Sequence, residues 1–519
     1  MMGKRSGQED LFSYNINLDK RVPANHPLRQ IKQQIDFSFA RSAVSSTYGI
    51  NGHVSEDPEV ILKLMFLLFF DNLPSERELM HQVAYRLDYL WFLGLTLDDQ
   101  VPDHSILSKA RRRWGRDVFE ELFVRTVRQC VEAGLVDGKK LHFDGSLIDA
   151  NASKDSVVSG PPELIAALRS AYRETARRLD DDESVGGGPG GAGGCGCGGD
   201  EFKEGGQKPG YERKMTSLLS ATDPDAAVVG RRGLSSRPRY KTHRAVDDRE
   251  GVITAVATTP GDVEENRLLV NLMEGSESNT GIVVETAVAD AQYGTAENFR
   301  ELKRRGVRTH MADLGLKNTR ATGLFSDELF IYGEASDTYT CPAGQVLKKK
   351  HFKPLRQAYY YGCTARLCNG CSRREECTRS RHGRTVMRHV DHELVEAGRR
   401  ESAGALAKGD RARRKFLAEG SFADGANNHG LKRSRWRGLA LQRIQDLLIA
   451  ACQNVKKLIS RPTKPCLEAA AMMINRVEKG LSGSYIMLLR RGFALIRGLG
   501  NKGAEINGEG RLIFDLLAL

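Results

Sequence analysis

The chain has 519 residues, too many for one compact core, so several structural units are predicted. Hydrophobic residues make up 40% and charged residues 28%, the balance of a globular protein, and 78 Lys and Arg against 66 Asp and Glu leave a formal net charge of +12, which favours a polyanionic partner such as nucleic acid. The start, MMGKRSGQED, lacks the apolar core of a signal peptide, and the most apolar stretch, Val60 to Phe70, is interrupted by Lys63 and too short to span a bilayer. A cytoplasmic protein with no membrane partner is expected. Its 10 cysteines then call for a metal or redox explanation rather than a disulfide framework.

Residues 1–135 read as a helical domain. Pro58 to Phe70 is one helix, Leu73-Pro74 breaks it, and Ser75 caps the next with Glu78 placed for a capping box. A second break at Val101-Pro102 puts Asp103 at the N-cap of a helix carrying Lys109, Arg111, Arg112 and Arg113. Two readings stand: a basic helix that lies in a DNA groove, or a helical bundle with one solvated basic face.

From Lys139 the pattern changes. Leu141 to Phe143 is a short apolar strand ending at Asp144, residues 163–180 read as helical, and the run GGGPGGAGGCGCGG within 184–206 cannot bury a core. Tyr240 to Val246 and Val252 to Thr258 form a hairpin around Asp247 to Gly251. A helix over Asp262 to Met273 follows, then a near-continuous apolar strand from Ile282 ending at Asp290, a helix capped by Thr295, and a strand from Val307 to Met311. The class is α/β, a mixed sheet flanked by helices. The chain then passes through a Cys-rich stretch and returns as a basic helical region with a helical tail.

Asp144 and Asp290, 146 residues apart (290 − 144), each end a predicted strand, where side chains face the crevice that binds ligands in open α/β sheets. Singly, an aspartate after a strand is more often a turn former or cap. On neighbouring strands the two converge, and hard oxygen donors of this kind hold Mg²⁺ for phosphodiester chemistry. Glu419 in KFLAEGSFADG is the candidate third acid, with Asp424 and Glu393 weaker. Asp149, five residues past Asp144 and expected in a loop, reads as structural or as a support to the metal ligands, and Asp313 also lies near the sheet's end.

These motifs resemble the DDE transposases of bacterial insertion sequences, and within them the group named after insertion sequence eleven-eighty-two. EVILKLMFLLFF, SERELMHQVAYRLDYLWFLGL and PDHSILSKARRR are similar to the N-terminal domain of such transposases; HFDGSLIDANASK resembles the first-Asp motif, VADAQYGTAENFREL the second, and AEGSFADGANNHGLKRSRWRGLALQRIQDLLIAACQNVKKL the closing Glu helix. The resemblance spans roughly residues 15–460. It implies a ribonuclease-H-like catalytic core in which Asp144, Asp290 and Glu419 bind two Mg²⁺ or Mn²⁺ ions, double-stranded DNA as partner (element ends and target), and a homodimer that brings two ends together. It divides the chain into an N-terminal DNA-binding domain (1–135), a first part of the core (136–334), a Cys-rich insert (335–385), the core's C-terminal part (386–460) and a tail (461–519). Related transposases place Tyr seven and Arg four before this Glu and Lys seven after; here those positions are Ala412, Lys415 and Ala426. Lys415 is expected to stand in for the Arg as a point charge.

Cys341, Cys363, Cys368, Cys371 and Cys377 crowd together, and Cys368-x-x-Cys371 has the spacing of a metal knuckle. Cys363, Cys368, Cys371 and Cys377 would satisfy one structural Zn²⁺, with His351 and His382 as substitutes; the alternative is free thiols in a small β-rich unit, as for Cys195 and Cys197. Lys415, Lys432 and Arg433 flank Glu419 and, with Lys241 on the hairpin, are candidate DNA contacts; His243 shares the face of Lys241. Trp436 reads as a core residue sooner than a base-stacking one. The function expected is DNA cleavage and strand transfer. The competing readings are a non-catalytic DNA-binding regulator and a metal-dependent nuclease that never joins strands.

Overall fold

The computed structural model describes residues 17–48, 55–161, 163–168, 170–172, 174, 218–230, 235–311 and 323–460. The glycine-rich run with Cys195 and Cys197, Asp313 and the tail from 461 lie outside them. Among the described residues, eight α-helices occupy the first part, from Leu18–Arg21 to Asp117–Glu132. Pro58–Phe70 starts as the sequence predicts: the Asp57 side chain accepts from the Glu59 N–H, and Pro58 sits where its missing N–H costs nothing. Every residue from Ile61 to Phe70 is buried, Lys63 included, its ammonium held 2.7 Å from Glu59. A helix apolar on all sides belongs at the centre of a core. Ser75 Oγ accepts from the Glu78 N–H at 3.1 Å. Asp103, expected at the N-cap of Ser105–Trp114, stands one residue before it: the N-cap is His104, and Asp103 accepts from the Ser105 N–H at 2.8 Å.

The central sheet contains β1 (Lys140–Asp149), β4 (Ala227–Val229), β5 (Arg237–Asp247), β6 (Ile253–Pro260), β7 (Thr286–Ala289) and β8 (Arg308–Met311). β2 (Val157–Ser159) and β3 (Leu218–Ser220) form a small separate pair. The order runs β5-β1-β7-β8, with β4 and β6 both on β5. β5 is antiparallel to β1 and to β6, whereas β1, β7 and β8 are parallel. The predicted hairpin is therefore present, as is the pairing of the Asp144 strand with the strand leading to Asp290. Three predictions differ in detail. The strand expected from Ile282 begins only at Thr286. The helix expected at Asp262 begins later, as a single 3₁₀ turn Glu265–Leu268 followed by Leu269–Thr280. β1 does not stop at Asp144 but continues to Asp149, because β5 pairs with it along the whole length from Leu141 to Asp149.

One face of the sheet, with Leu141, Phe143, Ala287 and Ala289, packs on Leu269–Thr280 and Ala296–Arg304. Beyond the other face lies a larger core shared by the N-terminal helices, Val246, Ile253 and the closing helix Leu439–Ile459. Asn454 on that helix accepts from the Ile253 N–H and donates to the Ile253 carbonyl, both at 2.9 Å, so a side chain supplies what a neighbouring strand would. Helices and sheet belong to one compact unit that ends at Ile459.

Between Ile331 and His389 the chain forms a second, antiparallel sheet: β9 (Ile331–Gly333), β10 (Thr338–Thr340), β11 (Val346–Lys353), β12 (Ala358–Gly362) and β13 (Thr385–His389), in the order β13-β12-β11-β10-β9. Its core is small: Phe330, Tyr339, Leu347, Tyr361 and Val386. Among the described residues, no helix is long and apolar enough to cross a membrane.

Candidate active site

Alternation along β1 sends Leu141 and Phe143 into the core and the even-numbered residues to the opposite face. That face is covered by the segment around Glu419. Lys140 pairs with Asp410 at 2.8 Å, Asp144 with Arg414 at 3.2 Å, and Ser146 Oγ accepts from Lys432 Nζ at 2.6 Å. Asp410 also accepts from His310 on β8 at 2.7 Å, which holds helix Ala405–Arg414 across the parallel strands.

Asp290 follows β7 and caps the next turn, accepting from the Gln292 N–H at 2.8 Å. His142 pairs with Val288 in the parallel register, so two residues further on Asp144 stands level with Asp290. Glu419 is brought towards Asp144 by an unexpected route. Residues Lys415–Glu419 form a π-helical turn. This wider turn brings residues five apart onto one face, and such turns recur at functional sites. Arg414, five before Glu419, is 8% exposed, and its two terminal nitrogens bridge the acids: Nη1 lies 3.2 Å from Asp144 Oδ2, and Nη2 lies 3.0 Å from Glu419 Oε1. Lys415, expected to supply this charge, instead points outward and is exposed. The π turn shifts the basic position by one residue.

Three further residues, which the sequence reading did not select for this role or did not select at all, complete the cluster. Glu265 packs its carboxyl against Gly145: a Cβ on that glycine would come within 2.8 Å of it, so the glycine makes the approach feasible. Lys241 Nζ lies 3.6 Å from Glu265 and donates to the Val263 carbonyl at 2.8 Å. Tyr293 is fully buried, its hydroxyl has no hydrogen-bond partner among the described residues, and burial raises its pKa well above the ordinary phenol value, with Glu265, Asp144 and Asp290 adding to the rise. Burial pushes the Asp144 carboxyl up to about 6 against the pull of Arg414, with Glu265 and Glu419 adding to the rise. Glu265 is raised as well, first by burial, with Asp290 contributing. The site is thus a half-buried concentration of negative charge met by two protein cations.

The other candidates fall elsewhere. Asp424 accepts from Gln453 and Asn428, and Glu393 is 89% exposed beside Arg388. Asp149, expected in a loop, is the last residue of β1 and pairs with Arg239 at 2.7 Å. In the basic helix, Lys109, Arg112 and Arg113 are exposed, but Arg111 is not available to DNA: it is 4% exposed, paired with Glu76 and stacked 3.9 Å over Trp436. Trp436 donates to Glu76 and packs edge-on against Phe69, a core tryptophan. Lys241 is turned in to Glu265, and His243 is buried against Thr259, so neither presents itself to a phosphate. Lys432 and Arg433 are exposed, beside the carboxylates along the Asp149 edge. The five cysteines between 341 and 377 line one small cavity, with Cys363 and Cys368 sulfurs 2.9 Å apart. His351 stacks on Tyr360, and His382 accepts from Arg381. As they stand, no three His, Cys, Asp or Glu side chains among the described residues are grouped to hold a metal ion.

No curated protein matches the chain. Two family models do. Residues 16–113 match the family described as "Transposase domain (DUF772)", and residues 340–459 match "Transposase DDE domain". The second match spans Glu419, Arg414 and the cysteines but not Asp144 or Asp290, which enter the site only through the sheet. Two transposase domains in one chain, the second of the DDE kind, support a DDE transposase, an enzyme that cuts DNA.

Proposed function

We propose that this chain is the transposase of a bacterial insertion sequence, of the group named after insertion sequence eleven-eighty-two, and that it cleaves DNA strands and joins the freed ends to a target. The observation that carries the reading is that Arg414 bridges Asp144 and Glu419, far apart in the chain, while the Asp144 strand pairs in parallel with the strand that leads to Asp290. The strand order, with one antiparallel hairpin followed by parallel strands, is what a ribonuclease-H-like core requires. The match to a DDE domain ending at Ile459 supports the third acid.

Asp144, Asp290 and Glu419 would hold two Mg²⁺ or Mn²⁺ ions. The donor chemistry fits: these are hard carboxylate oxygens, Arg414 already lies against two of them, and the buried Tyr293 hydroxyl beside them has no partner among the described residues. Bound there, divalent ions supply charge neutralisation at the attacking and leaving oxygens of a phosphodiester. The chain's own side chains do the rest. Arg414 holds Asp144 and Glu419 together, Lys241 lies against Glu265, and exposed Lys415, Lys432 and Arg433 sit where backbone phosphates would be drawn over the acids. Water attack frees a 3′-OH, and that hydroxyl then attacks a target phosphate with loss of the target strand's own 3′ oxygen, without a covalent enzyme intermediate. Lys109, Arg112 and Arg113 supply further contacts to double-stranded DNA, the working form is a homodimer, and the protein acts in the cytoplasm. The thiols of Cys363, Cys368, Cys371 and Cys377 would take one structural Zn²⁺, which would brace a sheet whose own core is only five residues.

The test uses the full chain with DNA carrying the element's ends. Wild type should nick with Mg²⁺ or Mn²⁺ and stop with EDTA, and Asp290→Ala should abolish nicking while retaining DNA binding. Full activity in that variant sinks the site. Nicking without joining to a target plasmid favours the nuclease reading, and DNA binding unaffected by loss of all three acids, with no cleavage by wild type, favours the regulator.

A further inference from the structure

The chain's positive charge is unevenly distributed. Between Ile331 and His389 the sequence holds 12 Lys and Arg against 4 Asp and Glu, a net +8 in 59 residues, which leaves only +4 (12 − 8) for the other 460. The second sheet therefore carries most of the excess, and its geometry sorts that excess by face. Leu347 and Tyr361 point into the small core. Lys348, its neighbour in β11, points the other way, opposite Gly362. An irregularity between Lys349 and His351 resets the alternation, and His351 then pairs with Tyr360 and Lys353 with Ala358 on the same outer face. At its centre His351 stacks on Tyr360 with ring centroids 5.1 Å apart and an 8° tilt, Lys353 lies 4.7 Å over the Tyr360 ring, and Arg356 donates to the Tyr360 hydroxyl at 3.2 Å. Lys348, His351, Lys353 and Arg356 are all exposed, and none of the three permanent cations pairs with a carboxylate among the described residues, unlike Lys349, which pairs with Asp337.

We infer that this outer face of β11 and β12 is a docking surface for double-stranded DNA, bound through backbone phosphates by Lys348, Lys353 and Arg356. The inference rests on the transposase reading and adds where that DNA is held. Unpaired cations spread along one strand suit a line of phosphates, and the stacked His–Tyr pair keeps those cations spaced. The surface is mechanically tied to the acids. β13 leads at once into helix His392–Ala403, which rests on β8 through Thr309 and Met311, and the next helix ends at Arg414. DNA seated on the sheet is thus held in a fixed relation to Asp144 and Glu419.

The experiment measures binding of the full chain to a short duplex without element ends, over a range of salt, for wild type and the triple variant Lys348→Ala/Lys353→Ala/Arg356→Ala. All three side chains are exposed, so the variant keeps the cores of both sheets. Each lost phosphate contact should flatten the slope of log affinity against log salt by about 0.9, so the variant's slope should be shallower by about 2 to 3. A wild-type chain that cuts DNA beside a variant with the parental slope overturns this surface alone. A wild-type chain that neither binds nor cuts DNA overturns both readings. Equal competition by polyglutamate, with the same change in slope, overturns the assignment to DNA.

Discussion

Replacing Arg414 by glutamine should make the protein bind divalent metal more tightly, not less. The guanidinium stands 3.2 Å from Asp144 and 3.0 Å from Glu419, where it is the counter-cation of two proposed ligands. Two unit charges about 4 Å apart interact by about 1 kcal/mol in water and about 4 kcal/mol at the effective dielectric of a protein surface. Asp144 and Arg414 side chains are 13% and 10% exposed, which favours the upper figure, but Glu419 is 51% exposed, so its share is largely screened. Taking the lower part of that range, about 1.4 kcal/mol, the loss of this competing charge should lower the Mn²⁺ dissociation constant about tenfold. Metal-free protein should pay for the change: stranding a buried carboxylate costs about 3 kcal/mol, so the denaturant midpoint in EDTA should fall and Mn²⁺ should restore it. Titration calorimetry with Mn²⁺ and denaturation with and without EDTA measure both. Unchanged or weaker Mn²⁺ binding by Arg414→Gln would refute the reasoning, and no binding by wild type would remove the metal site itself.

Arg111→Ala should destabilise the fold by about 3 to 5 kcal/mol, since it strands Glu76 and uncovers Trp436, while the folded variant keeps wild-type DNA affinity. Arg112→Ala, at an exposed position on the same helix, should do the reverse; a variant pair with the opposite pattern would put Arg111 on the DNA. His429 donates from Nδ1 to the Phe69 carbonyl at 2.7 Å, and burial pushes its pKa down to about 4. The neutral ring is the form the fold prefers, so its contribution, up to about 3 kcal/mol, is whole above the unfolded value near 6.5 and drains away as pH falls towards 4. His429→Gln should flatten that part of the stability–pH curve, and a curve parallel to wild type would refute it. Arg244 is fully buried, donates to Ser421 and Gln453 and stacks 4.7 Å over Phe422, so Arg244→Met should loosen the helix after Glu419 and slow cleavage with little change in DNA affinity. Unaltered cleavage would show that this anchor does not position Glu419.

Much of this architecture can be read from the chain because its signals are local. Pro58–Phe70 begins at Asp57-Pro58, Thr295 caps its helix through the Asn298 N–H, and the alternation in Tyr240 to Thr258 yields a hairpin. The length of β1 was not legible, because residues after Asp144 are polar and only pairing with β5 keeps them extended. Arg111 and Lys241 looked like surface charges, since a sequence does not show that Glu76 and Glu265 wait inside for them. Glu265 and Tyr293 carry no spacing signal at all; they meet Asp144 only through the sheet. Arg414 had a signal, a basic residue near the expected distance before Glu419, but the π turn moved it by one place.

The core shared by the first helices and the closing helix has a consequence for synthesis. Cys452 and Asn454 meet Phe66 and Cys130 across more than 300 residues of chain, as the separations of 386 and 324 attest. At about 5 to 20 residues per second, the ribosome needs roughly 20 to 60 s after finishing Glu132 before Ile459 emerges. Throughout that interval the nascent helices display one apolar flank with its natural cover still unmade, which makes them a client for holding chaperones and leaves any product truncated before residue 439 prone to aggregate.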